Sequence, residues 1–133
     1  MTKRILSVDD SPTIRKLIEK ILTDGGYEVV TVDNGQVAIG LLEALNFDMV
    51  ITDLNMNVMS GLTFISKVRA LPKYASKPII FVTTENSDEV KQEGRTRGAT
   101  GWVTKPFEPE KLLRVVNRLC PLQDAMSPSG ATG

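Results

Sequence analysis

Asp9 and Asp10 follow one short apolar run, Asp53 follows a second, Thr83 a third and Lys105 a fourth. Three carboxylates, a hydroxyl and an ammonium brought to one place are suited to holding a hard cation and handling a phosphoryl group. Gathered carboxylates repel one another, and one lysine cannot offset all three, so a bound cation would resolve the conflict. The chain has no histidine and a single cysteine, Cys120. That excludes Ser-His-Asp and Cys-His catalysis and the usual zinc ligands, and the oxygen donors left over favour Mg²⁺. A carboxylate beside Mg²⁺ can attack phosphorus to give an acyl phosphate, while the metal, a hydroxyl and an ammonium neutralise the equatorial oxygens; Asp53 is the central candidate. Taken singly, each residue has an ordinary reading: an Asp pair caps a helix, and a Thr or Lys after a strand is simply solvated. The weight lies in their joint placement. No glycine-rich phosphate loop occurs, so the phosphoryl group must come from a separate donor.

Such a site needs elements that end side by side. Apolar runs, several of them β-branched, recur at 5–8, 29–32, 49–51, 79–82 and 102–103 and predict five short buried strands. Between them Ile14, Leu17, Ile18, Ile21 and Leu22 repeat at helical spacing behind a Ser11 cap and Pro12. Three more helices follow Asn34-Gly35, Gly61 and Pro109. Residues 87–97 carry acids in their first turn but little apolar surface beyond Val90, with Gly94 inside, and predict the least stable helix. Strict alternation predicts βαβ crossovers, hence an α/β fold with a parallel sheet and helices on both faces. In such sheets ligands bind beyond the carboxyl ends of the strands, where these polar residues fall.

At 133 residues the chain fits one domain, read here as 1–120, with 121–133 broken by Pro, Ser and Gly and expected to be a disordered tail. Its 16 basic and 16 acidic residues leave no electrostatic footprint for nucleic acid or an anionic membrane. With no signal peptide, no membrane span and one cysteine, which packs as a small apolar residue, the expected setting is soluble, reducing and cytoplasmic.

The motifs Val8-Asp9-Asp10-Ser11, Asp53-Leu54-Asn55-Met56 with Gly61, Val82-Thr83 and Lys105-Pro106-Phe107 stand in the order and spacing of a known family. Over residues 3–120 the chain resembles the receiver domains of bacterial two-component response regulators, particularly the stand-alone chemotaxis regulators of the CheY type. The resemblance implies a doubly wound, flavodoxin-like sheet of order 2-1-3-4-5, an order for which CheY is itself a standard example. It implies phosphorylation of Asp53 by a histidine kinase whose phosphohistidine docks near the first helix. Asp10, Asp53 and the Asn55 backbone carbonyl would ligate Mg²⁺, with Asp9 acting through water, and Thr83 and Lys105 would contact the phosphoryl group. The Lys105-Pro106 bond is expected to be cis, aiming the amine into the pocket. Asn55 and Glu85 occupy positions that tune attack by water on the acyl phosphate, and Thr83 and Trp102 are the switch residues. The charge would bias the 87–97 helix and change affinity for a protein target on the fourth helix, fifth strand and fifth helix. A separate phosphatase is a further partner on this reading. The domain would catalyse its own phosphorylation and dephosphorylation and turn over nothing else.

Two residues depart from the family pattern. Trp102 stands where relatives often have Tyr or Phe; it is bulkier, and its ring nitrogen only donates. Asn57 replaces a common proline and leaves its loop less restrained. No output domain follows Leu119, which favours a diffusible messenger in chemotaxis or flagellar motor control over a phosphorelay intermediate or a piece of a larger regulator. An aspartyl-nucleophile phosphatase would want a second acid where Asn55 stands. A flavin module would need a phosphate cradle where the first loop is acidic.

Overall fold

The computed structural model describes residues 2–56, 58–85 and 87–122. Asn57 and the tail beyond Leu122, on which two of the expectations fall, lie outside the described residues.

Five strands, β1 (Arg4–Val8), β2 (Glu28–Val32), β3 (Met49–Asp53), β4 (Ile79–Thr83) and β5 (Gly101–Thr104), alternate with α1 (Pro12–Asp24), α2 (Gly35–Ala44), α3 (Gly61–Ala70), α4 (Asp88–Arg97) and α5 (Pro109–Leu119). They form one parallel sheet in the order β2-β1-β3-β4-β5, as expected. Strand side chains alternate between two cores. Ile5, Met49, Ile51, Ile80 and Val82 meet Ile18, Ile21 and Leu22 of α1 and Leu112 and Val116 of α5. Leu6, Val8, Val50, Ile79 and Phe81 meet Ala38 and Leu42 of α2 and Phe64, Ile65 and Val68 of α3. Strands covered on both faces must be apolar throughout, which is why β3 and β4 read as continuous buried runs.

Helix starts follow the capping rules: the side chains of Ser11, Asn34, Ser60 and Ser87 each accept a backbone N–H three residues on. Strands β3 and β4 run further into the site than the apolar pattern predicts. Asp53 pairs with Val82 and Thr83 with Thr104, so both polar residues are the last rungs of the ladder and not loop residues beyond it.

Helix α4 is held at a few points. Gly94 is its one buried residue among those described, and a Cβ built there would lie 2.2 Å from Cε1 of Phe81. The glycine that seemed to weaken the helix is thus what lets it approach the sheet. Gly98, at φ 114°, ends α4 in the left-handed region. The Arg69 guanidinium then ties that end down, donating to the carbonyls of Gly98 at 2.9 Å and of Tyr74 and Lys77 at 2.6 Å each. For Gly94→Ala, better helix propensity favours the variant by about 1 kcal/mol, but the clash with a fully buried ring opposes it by about 1–3 kcal/mol. A net loss of stability in urea denaturation is expected.

Both tyrosines are buried and hydrogen-bonded. The Tyr27 hydroxyl shares its proton between Asn117 Oδ1 at 2.7 Å and the Cys120 carbonyl at 2.8 Å; that of Tyr74 lies 2.9 and 2.8 Å from the carbonyls of Leu42 and Leu45. Burial pushes the Tyr27 phenol up to about 12 and raises that of Tyr74. The folded state therefore holds these protons more tightly than the unfolded chain. For Tyr27 the resulting stability is intact below the ordinary value of 10.0 and is lost as pH rises to about 12. Phenolate absorbance of the native protein should accordingly stay low at pH 10, where the unfolded chain is half titrated. Titration of either tyrosine at pH 10 in the folded protein would contradict this.

Candidate functional site

The strand order reverses between β1 and β3, and the carboxyl ends of these strands carry Asp9 and Asp53 side by side. Asp9 is 1% and Asp53 6% exposed, which for charged groups requires partners. Lys105, just past β5, supplies one: its Nζ lies 3.2 Å from Asp53 Oδ1 and 3.4 Å from Asp9 Oδ2. Asp10 completes the group, since Asp9, Asp10 and Asp53 each offer a carboxylate oxygen within 4.8 Å of the others. One ammonium among three carboxylates leaves net negative charge in a largely buried pocket. Burial pushes the Asp9 carboxyl above its ordinary value and Asp53 adds to this, while the Ser11 N–H and Lys105 pull the other way. An all-oxygen donor set with excess negative charge fits Mg²⁺ and not a softer ion.

Thr83 is 1% exposed at the end of β4, and its Oγ1 accepts the Glu85 N–H at 3.0 Å, leaving the hydroxyl proton to donate elsewhere. The Lys105 N–H donates to the Thr83 carbonyl at 2.7 Å, joining the β4 and β5 ends, and the Lys105-Pro106 peptide is cis. Beneath Asp53, Gly61 packs its Cα against the backbone: a Cβ there would lie 2.2 Å from the Asp53 carbonyl oxygen.

Residues 5–117 match the response regulator receiver domain family. The chain belongs to that family. Chemotaxis protein CheY of Pseudomonas aeruginosa is 33% identical over 117 residues, 87% of this chain and 94% of that one. The crystallised chemotaxis protein CheY4 of Vibrio cholerae is 44% identical, with a TM-score of 0.87 over 90% of this chain and 99% of that one. The receiver domain of sensor histidine kinase PA1611 of P. aeruginosa, described with a magnesium ion coordinated in its active-site cleft, is 27% identical, with a TM-score of 0.83 over 90% of this chain and 98% of that one. Against the transcriptional regulators ycf29 of Pyropia yezoensis and Porphyra purpurea the chain spans only a little over half their length.

In this CheY-like receiver domain the other expected site residues lie on the loops after β3 and β4 and within β5. Asn55 and Glu85 are exposed on the β3–α3 and β4–α4 loops. Trp102 is half-buried on β5, and its ring lies 6.2 Å from that of Phe81 at an interplanar angle of 28°. Two cations of α4, Lys91 Nζ at 5.2 Å and Arg95 Cζ at 5.4 Å, also sit over it. Nothing in the apolar periodicity pointed to these two as partners of the receiver's tryptophan; only their spacing of four, which puts them on one helix face, could have. Arg15 was missed as well. Its guanidinium donates to the Asp9 carbonyl at 2.9 Å. No helix among the described residues is long and apolar enough to cross a membrane.

Proposed function

We propose that this receiver domain, spanning 1–120, is the phosphoacceptor of a two-component system, taking its phosphoryl group on Asp53 from a histidine kinase. The observation that carries the reading is the buried Asp53 carboxylate, paired with Lys105 and lying within 4.8 Å of Asp9 and Asp10 at the strand-order reversal. Asp10, Asp53 and the Asn55 carbonyl would hold Mg²⁺, with Asp9 acting through water; the magnesium described in the PA1611 receiver supports this. When bound, the ion supplies charge neutralisation for the phosphoryl oxygens.

The protein's own groups do the rest. An Asp53 oxygen forms the new O–P bond as the P–N bond of the donor's phosphohistidine breaks, and the imidazole leaves with a proton. Lys105 stabilises a phosphoryl oxygen from the β5 side. Thr83, whose hydroxyl already accepts from Glu85, can donate its proton to another. Asn55 and Glu85, at the rim, govern the approach of water to the acyl phosphate. The added charge draws Thr83 inward and biases α4 and Trp102, changing affinity for a protein target on α4, β5 and α5. The output is binding, and the similarity to the chemotaxis proteins CheY and CheY4 supports a role in chemotaxis signalling to the flagellar motor.

Acetyl phosphate with Mg²⁺ should add one phosphoryl group to the chain, read by intact mass; no gain would refute the proposal. Mg²⁺ should also raise the thermal midpoint, by about 2.7 kcal/mol of added stability at a hundred times its dissociation constant. Asp10→Ala should remove most of that rise, and an equal rise in both proteins would exclude Asp10 as a ligand.

A further inference from the structure

Asp9 is fixed from four sides. Its N–H donates to the Val32 carbonyl at 3.1 Å, its Oδ1 accepts the Ser11 N–H at 2.9 Å, its Oδ2 faces Lys105 at 3.4 Å, and its carbonyl accepts from Arg15 at 2.9 Å. Asp10 differs. It is half-buried, and among the described residues no hydrogen bond reaches its carboxylate. What aims that carboxylate is the peptide unit joining it to Asp9, and Arg15 holds the oxygen of that unit. A peptide is planar, so restraining its C=O restrains the direction in which the Asp10 N–Cα bond leaves. Arg15 is well placed for this. It lies in the first turn of α1, four residues past the Ser11 cap, and helical side chains lean toward the N-terminus, over the turn before their own Cα.

We propose that Arg15 is a positioning residue for the phosphoryl-transfer site, acting through the Asp9-Asp10 peptide to set where the Asp10 carboxylate stands. The proposal rests on the metal-dependent reading of the site given above. It makes a prediction opposite in sign to that of charge alone. As a nearby cation Arg15 repels Mg²⁺, so its removal should tighten metal binding through Coulomb effects. As a positioning group it improves the ligand set, so its removal should weaken binding, as loss of groups that orient metal ligands does.

The test compares the parent, Arg15→Met and Arg15→Lys at one ionic strength. The readouts are the Mg²⁺ concentration that half-saturates the rise in thermal midpoint and the rate of phosphoryl uptake from acetyl phosphate. Arg15→Met should need about tenfold more Mg²⁺ and be slow at low Mg²⁺, with its rate recovering at saturating metal. Arg15→Lys, which keeps one donor, should regain most of the affinity. Unchanged or tighter Mg²⁺ binding in Arg15→Met, or a Lys variant no better than the Met one, overturns the role of Arg15. Should Arg15→Met not fold, Arg15→Gln takes its place: weaker Mg²⁺ binding than the parent supports the role, and unchanged or tighter binding overturns it. A parent that neither binds Mg²⁺ nor takes up phosphate overturns the site reading itself, a distinct result.

Discussion

Asp53→Asn is expected to take up no phosphoryl group under conditions that fully modify the parent, because a neutral amide oxygen is a poor nucleophile and gives no acyl phosphate. The loss belongs with the roughly millionfold losses seen when an enzyme nucleophile is removed. The same substitution should stabilise the metal-free protein. The Asp53 charge is one cause of the raised Asp9 carboxyl, and Lys105 keeps Asp9 as a partner at 3.4 Å when Asp53 is neutral. Relief of like-charge repulsion then outweighs the lost ion pair, whose ammonium is partly solvated. The thermal midpoint without Mg²⁺ should rise, and the further gain from Mg²⁺ should shrink because the cation has lost a charged ligand. A lower metal-free midpoint would contradict a pocket strained by its own carboxylates.

Gly61→Ala should damage the site without touching a charged group. The added methyl would stand 2.2 Å from the Asp53 carbonyl oxygen and 2.6 Å from the Leu54 Cα, both backbone atoms that no rotamer change can move aside. The Gly61 N–H also donates to the Leu54 carbonyl at 2.9 Å, so the two segments cannot simply part. The peptide bearing the nucleophile must shift, and displacement of a reacting group by about 1 Å can cost about a hundredfold in rate. Phosphoryl uptake should fall on that scale, with a stability loss of about 1–3 kcal/mol. Gly40→Ala is the control. A Cβ at Gly40 meets nothing within 4 Å, so that variant should phosphorylate normally and gain up to about 1 kcal/mol from helix propensity. Equal uptake by the Gly61 variant and the parent would show that the β3–α3 turn yields freely.

Much of this was legible in the sequence because parallel strands buried on both faces leave compact apolar runs, and because the polar residues that close them fall at one edge of the sheet. Asp9, Asp10, Asp53 and Lys105 are brought together as their positions implied. The strand ends were misplaced at Asp53 and Thr83, since ladder pairing continues through polar residues that hydrophobic periodicity treats as loop. Gly94 looked like a weakness because propensity describes an isolated helix, whereas its value lies in a contact with Phe81 thirteen residues earlier in sequence. Arg15 and Arg69 could not be read at all. Long side chains bonding to carbonyls answer to the course of the backbone, which no residue type records.

The Arg69 anchor makes α4 a lever with its fulcrum at Gly98. A rigid rod pivoting at one end sweeps its widest arc at the other, which here is the Asp88 end, next to Thr83 and Glu85. At about 1.5 Å per residue, Lys91 rides roughly 10 Å from the pivot and Arg95 roughly 5 Å. Any tilt of α4 therefore draws Lys91 about twice as far across the Trp102 ring as Arg95, so the two cations grip the indole with unequal tenacity.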